Sequence, residues 1–173
     1  FYLSVAGDGA MRAGFDSRSS SAAHLFVQSE ASVVSVNVWV HLAATLDSVS
    51  GTLIGFVNGE QVVRRDMVVS AAFGVLGDGP LYIGTTHLTD HTNAGSLQGS
   101  IARVRVWSRP LTEKEIGLSM STRLNSEEVN QLSTSSALSQ QGLVASYELE
   151  EGTGYLAASI PTGNTAQLIG GHW

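Results

Sequence analysis

The sequence predicts an all-β fold, an antiparallel β-sandwich with one or two short helices placed late in the chain. Three observations carry that prediction. Nineteen glycines against three prolines, in a chain rich in Ser, Thr and Val, suit short strands joined by tight turns. Apolar and polar residues alternate over short runs punctuated by Gly, Asn and Asp. Between two such runs stands Asn58-Gly59, the dipeptide that best tolerates the two positive φ angles of a type I′ hairpin turn.

Taken in order, Phe1 to Ala6 and Ala10 to Phe15 form a hairpin about Gly7-Asp8-Gly9. Ala23 to Ser29, Val33 to Val36 and Val38 to Leu46 come next as strands. The last carries Trp39, His41 and Ala43 on one face and Val40, Leu42 and Ala44 on the other, so a central position is expected for it. Thr52 to Val57 and Gln61 to Arg65 flank the Asn58-Gly59 turn. Leu81 to Thr85 and Ser100 to Trp107 add two strands, and in the second the shared parity of Arg103 and Arg105 puts both guanidiniums on one face, expected to be solvated.

After Pro110 the pattern becomes helical. Thr112 and Glu115 have the spacing of a capping box, in which a hydroxyl and a carboxylate satisfy orphan amides at a helix start. Asn125 to Glu128 repeats the device, and Ser133 to Gln141 reads as a polar connector. Leu143 to Glu150 is the next strand, 152–163 a polar turn region, and Ala166 to Ile169 a last short strand. The expected organisation is a body over 1–118, a helical and polar linker over 119–141, and a further strand segment over 142–173.

Composition bounds the function. With 43% hydrophobic and 14% charged residues in 173, the chain can bury a core and does not read as disordered. Its formal charge is -6, and Lys114 is the single lysine, so no cationic surface offers itself to a phosphate backbone and nucleic acid is not an expected partner. Residues 124–173 contain five glutamates and no Lys or Arg, so the acidity is concentrated there. Cysteine is absent, which excludes disulfides, thiolate metal sites and cysteine nucleophiles. No apolar run reaches the roughly 18 residues that span a bilayer, so membrane insertion is not expected. Phe1 belongs to neither an initiator Met nor a signal peptide, so the chain reads as a processed or excised piece.

Four separated motifs carry a resemblance. They are Trp39 to Asp47 (W-x-H-x-A-x-T-x-D), Phe56-Val57-Asn58-Gly59, Pro80-Leu81-Tyr82-Ile83-Gly84, and Gly99 to Trp107 continued by Arg109 to Ile116. In this order they resemble the laminin-G-like jelly roll of the concanavalin-A-like lectin and glucanase group, close in fold to pentraxins. The resemblance implies an extracellular or cell-surface module, packing roles for Trp39 and Trp107, and a core or half-buried His41. Ala102 stands where many members have aspartate, so that carboxylate's role is not carried over. Gly142 to Gly154 resembles the family's opening, and Gly163-Asn164 and Gly170 to Trp173 resemble motifs that stand shortly after that opening in the family. The opening therefore lies at the end of the chain. Either the frame crosses a junction in a tandem array, or the domain is circularly permuted and its C-terminal segment completes its own sandwich.

Candidate chemistry is sparse. Glycosidases of this fold place carboxylates at E-x-D-x-x-E, and the nearest match, Glu148, Glu150 and Glu151, lacks the partner three residues after Glu150, so no enzyme is expected. His87, Asp90 and His91 would suit zinc only on a helix, and their Thr-rich surroundings read as a loop. Calcium is the better candidate ion, with Asp78, Asp90 and Asn93 as candidate ligands for metal or glycan, although no loop has a full ligand series. Exposed aromatics for stacking on a sugar are not evident.

Two functions are expected from these residues. One is a non-catalytic extracellular module of a surface or matrix protein, recognising a glycan or an extracellular protein through rim loops near 74–80 and 86–98. The other is a structural subunit that assembles with copies of itself into a fibre or layer, Leu143, Ala145, Tyr147 and Leu149 forming the donated strand face.

Overall fold

The computed structural model describes residues 1–15, 25–66, 82–84, 97–123, 141–150, 156–160 and 165–167. They form antiparallel sheets with one short helix, an all-β sandwich. The described residues divide into two compact units, one holding 1–15, 25–66, 107–123 and 141–142, the other 82–84, 97–106, 143–150, 156–160 and 165–167.

In the first unit β1 (Tyr2–Val5), β2 (Met11–Phe15) and β3 (Leu25–Gln28) make one sheet, and β4 (Leu42–Asp47), β5 (Thr52–Val57) and β6 (Glu60–Asp66) another. Strand alternation explains how they pack. Met11 and Ala13 share a face of β2 and are fully buried against the buried Val27 of β3, while Arg12 between them is exposed and donates to Gln28 at 2.7 Å. Facing them, Leu53 and Val57 of β5 join the same cluster, edged by Leu42, Ala44 and Val63. The opposite face of β5 presents Phe56 and Ile54 to Ile116 of the helix α1 (Glu113–Ser121), with Leu111, Ala43 and Trp107 closing that second cluster.

Covered on both faces, β5 reads as a nearly unbroken apolar run. The central strand among the described residues of this sheet is therefore β5 and not β4, contrary to the expectation from the two-sided apolar pattern of 38–46. The hairpin between β5 and β6 is the one the sequence requires, with φ of 51° at Asn58 and 85° at Gly59. Asn58 also ties the hairpin to the strand before it, its Oδ1 accepting from the His41 amide at 3.0 Å and its amide donating to the His41 carbonyl at 2.8 Å.

Two expectations fail between β3 and β4. Residues 33–36 are bends and turns and not a strand, and β4 starts at Leu42, not Val38. Ser32 and Asn37 adopt φ of 62° and 60°, so the backbone reverses twice where an alternating apolar pattern suggested extension.

Helix α1 begins as the sequence predicts. Thr112 Oγ1 accepts from the Glu115 amide at 3.3 Å, and Glu115 Oε2 accepts from the Thr112 amide at 2.9 Å, a reciprocal capping box. The helix runs to Ser121, so it extends past 118 into the stretch read as linker. The second helix start, at Asn125 to Glu128, lies outside the described residues.

In the second unit β7 (Val104–Trp107), β8 (Leu143–Tyr147), β9 (Leu156–Ile160) and β10 (Thr165–Gln167) form a sheet in the order β10-β9-β8-β7. Ala145, Tyr147 and Ala157 make its core, with Val106, Ile83, Leu149 and Ala166 packed around them. Strand β9 falls within 152–163, which the sequence presents as a turn region. Its Ala-Ala-Ser run is short and lacks β-branched residues apart from Ile160, so local propensity did not announce it. Residues 82–84 are not a strand and 83–84 form a bend, with Gly84 at φ 78°, where the sequence suggested a strand over 81–85.

Candidate functional site

Alternation along β7 puts Val104 and Val106 on one face and Arg103 and Arg105 on the other, as the sequence indicates. The second face is largely covered rather than solvated. Arg105 retains 6% side-chain exposure and Arg103 29%, and both reach Glu148, which follows β8 directly. Arg103 Nε donates to Glu148 Oε2 at 2.8 Å and Arg105 Nη2 to Oε1 at 3.1 Å. Ser146, fully buried, joins them: its Oγ accepts from Arg105 Nε at 3.2 Å and donates to Glu148 Oε1 at 3.0 Å. Burial pushes the Arg105 pKa down, and the hydrogen bond and charge of Glu148 oppose that shift.

This arrangement decides what Glu148 can do. Both of its oxygens are engaged by donors of the chain itself, so it acts as an anchor between β7 and the end of β8. Immediately after it Leu149 takes φ of 55°, an uncommon value for a branched side chain. The turn keeps Leu149 on the core cluster with Tyr147 and Ala145.

Leu143, Ala145 and Tyr147 are at most 9% exposed and Leu149 is half-buried, so all four belong to the core face of this sheet. The remaining candidates, Asp78, Asp90 and Asn93, with His87 and His91, lie outside the described residues. Among the described residues no cluster of three His, Asp or Glu is arranged to hold a metal ion.

A different surface emerges in the first unit. Trp39 is 67% exposed, Val38 64% and Val36 85%, which corrects the packing role expected for Trp39. The physical reason is the pair of positive φ residues before it, which turns this segment away from the strand path. Residues 31–40 carry no charged side chain. Val36 also edges an open hollow of about 400 Å³ whose rim includes Asp8, Ser32 and Ser35. Trp107, by contrast, packs as expected, against the Phe56 and Ile116 cluster.

Polar contacts fix two further corners of the first unit. Asp47 closes the β4 to β5 turn by accepting from Ser50 Oγ at 2.8 Å and from the Val49 amide at 2.9 Å, bonds that hold its pKa below the usual value. Arg109 stacks over Trp107, 5.9 Å from the ring centre, and donates to Glu115 Oε1 at 2.6 Å and to the Gln141 carbonyl at 2.7 Å.

A family model described as the concanavalin A-like lectin/glucanases superfamily, in its laminin G branch, matches residues 1–117. The chain belongs to this superfamily. No curated protein matches it. Among solved structures it is similar to residues 221–444 of an S-layer domain-containing protein from Clostridium thermocellum, at 28% identity and a TM-score of 0.44. That similarity covers 69% of this chain, which spans 55% of the other. Within the superfamily match fall the turn bearing Trp39, the Asn58-Gly59 hairpin, Arg103, Arg105 and the start of α1. Glu148 and Ser146 lie beyond it.

Sequence reasoning missed the partnership of the arginine pair with Ser146 and Glu148. A signal was present: two same-parity arginines, and a hydroxyl and carboxylate of matching parity in a segment that resembles the family's opening strand. It missed the exposed indole because the surrounding motif resembles a core strand.

Proposed function

We propose that this chain is a non-catalytic recognition module of an extracellular surface or matrix protein, and that it binds a glycan or an extracellular protein. The observation that carries this reading is the exposed Trp39 on a turn without charged residues. A largely exposed indole costs hydrophobic burial and offers a flat apolar face with one N–H donor, the equipment of a surface that stacks on a sugar ring or anchors an interface. The hollow edged by Val36, in the same uncharged segment, adds Asp8, Ser32 and Ser35 as polar groups.

The non-catalytic part is supported by Glu148, the carboxylate nearest to the glycosidase pattern, whose oxygens are engaged by Arg103, Arg105 and Ser146. The calcium and glycan role of Asp78, Asp90 and Asn93 stays part of the proposal, at positions outside the described residues. For the rival reading, donation of the C-terminal strand to a neighbour, β8 is already seated beside β7 of its own chain, which supports completion within one molecule.

The test is a glycan array and an extracellular-protein panel probed with the chain and with Trp39→Ala. Binding that falls tenfold or more in the variant, while its unfolding midpoint holds, supports the reading. Binding unaffected by Trp39→Ala overturns the role of this surface, and release of reducing sugar from an arrayed glycan overturns the non-catalytic assignment.

A further inference from the structure

Independently of what the module binds, the second unit joins two arginines of one segment to a hydroxyl and a carboxylate of another. Arg103 and Arg105 project from one face, two residues apart. Ser146 and Glu148, also two residues apart, meet them at 2.8 to 3.2 Å. Two residues of extended chain advance roughly 6.6 to 6.8 Å on either strand, so the pairs fit in one register. We propose that Arg103 and Arg105 form a strand-selecting site that recognises an extended segment bearing a hydroxyl and a carboxylate at alternate residues, and that Ser146-Tyr147-Glu148 is its occupant in this chain.

The selectivity comes from burial and parity. A slip of β8 by one residue would turn Ser146 and Glu148 toward Ala157 and Val106 and bring Ala145 and Tyr147 onto the arginine face. Arg105, with 6% of its side chain exposed, would then lose its carboxylate with little solvent to replace it. A slip by two residues would keep the face but set the carboxylate away from Arg105. The same accounting disfavours any apolar strand taking this place, because it would supply neither the carboxylate nor the hydroxyl that the two guanidiniums engage here. Ser146 sharpens the choice, since its single hydroxyl accepts from Arg105 Nε and donates to Glu148, which a valine or alanine there could not do.

The full chain provides the test. Hydrogen exchange of the 143–147 amides is measured in the wild type, in Glu148→Arg, in Arg103→Glu/Arg105→Glu, and in the triple variant that combines them and so exchanges the charges. Exchange at least tenfold faster in the first two variants, with tenfold or more protection regained in the triple variant, is the expected result. A triple variant no better protected than its parents overturns the proposal. A second measurement uses a fluorescent peptide of residues 142–150 added to the Glu148→Arg chain. Binding at least tenfold tighter than that of the same peptide with Gln in place of Glu148 is expected; equal binding of the two peptides, or none, overturns selection by the arginines. Neither measurement involves Trp39, so these outcomes leave the glycan or protein reading to its own test.

Discussion

Met11 of β2 lies directly over Gly55 of β5, so close that a Cβ at residue 55 would stand 2.7 Å from the methionine Sδ and 2.8 Å from Val63 Cγ1. The two facing sheets of the first unit therefore meet at a position where one strand contributes no side chain and the other a long one. Gly55→Ala is expected to destabilise by about 1 to 3 kcal/mol through overpacking, although alanine suits a strand better than glycine. Met11→Ala alone should cost about 2 to 5 kcal/mol by opening a cavity. If the contact is the cause, the double variant costs at least about 1 kcal/mol less than the sum, because the new methyl enters the vacated space. Urea unfolding of the four proteins gives the coupling, and strict additivity would refute the explanation.

The start of α1 isolates a local term. Thr112→Ala removes the hydroxyl that accepts from the Glu115 amide and donates to Glu115 Oε2, and should cost about 1 kcal/mol, with Thr112→Ser close to the wild type. Urea midpoints of the two variants compare them directly. Equal loss in both would mean that the methyl group and not the hydroxyl matters.

These two positions show what the sequence could and could not announce. The capping box was legible because its whole logic lies within four residues, and so was the Asn58-Gly59 turn, whose φ requirement is met by the residues themselves. The Gly55 contact was not, because it depends on a residue 44 positions earlier in the facing sheet. The pattern from Val33 to Val40 misled for a related reason. Alternating valines specify an extended strand only where both neighbours exist, and here two positive φ residues turn the chain and leave Val36, Val38 and Trp39 at the surface. Parity correctly grouped Arg103 with Arg105, but their burial depended on Glu148, 45 and 43 residues away.

Within that group, removing one member of the Arg105 and Glu148 pair should cost more than replacing the pair. Glu148→Gln removes the carboxylate charge that both arginines engage, and a loss of about 2 to 4 kcal/mol is expected, below the upper range for fully buried pairs because Arg103 keeps partial access to water. Replacing the pair together, as Arg105→Met/Glu148→Leu, should recover most of that loss, since well-packed apolar side chains need no counter-charge. Thermal or urea unfolding distinguishes the cases. A double variant as unstable as the sum of its single variants would show that packing around the stems, rather than unpaired charge, dominates.

Acid stability offers the last prediction. Glu115 is held at a pKa of about 2, against an ordinary 4.5, first by the hydrogen bonds from Arg109 and then by the Thr112 amide. A carboxylate with a depressed pKa in the folded chain contributes stability that is fully present above pH 4.5 and disappears as the pH falls toward 2. Wild type should therefore exceed Glu115→Gln in unfolding free energy by about 1.5 to 3 kcal/mol at neutral pH, the range for hydrogen bonds to charged groups. That advantage should shrink progressively below pH 4.5 and be nearly gone at pH 2. Arg109→Met should show the same loss of acid dependence, because it removes the main cause of the shift while leaving the Thr112 cap in place. Urea titrations at several pH values between those limits measure the difference directly, and a gap that stays constant down to pH 2 would mean that Glu115 stabilises the helix start by packing alone.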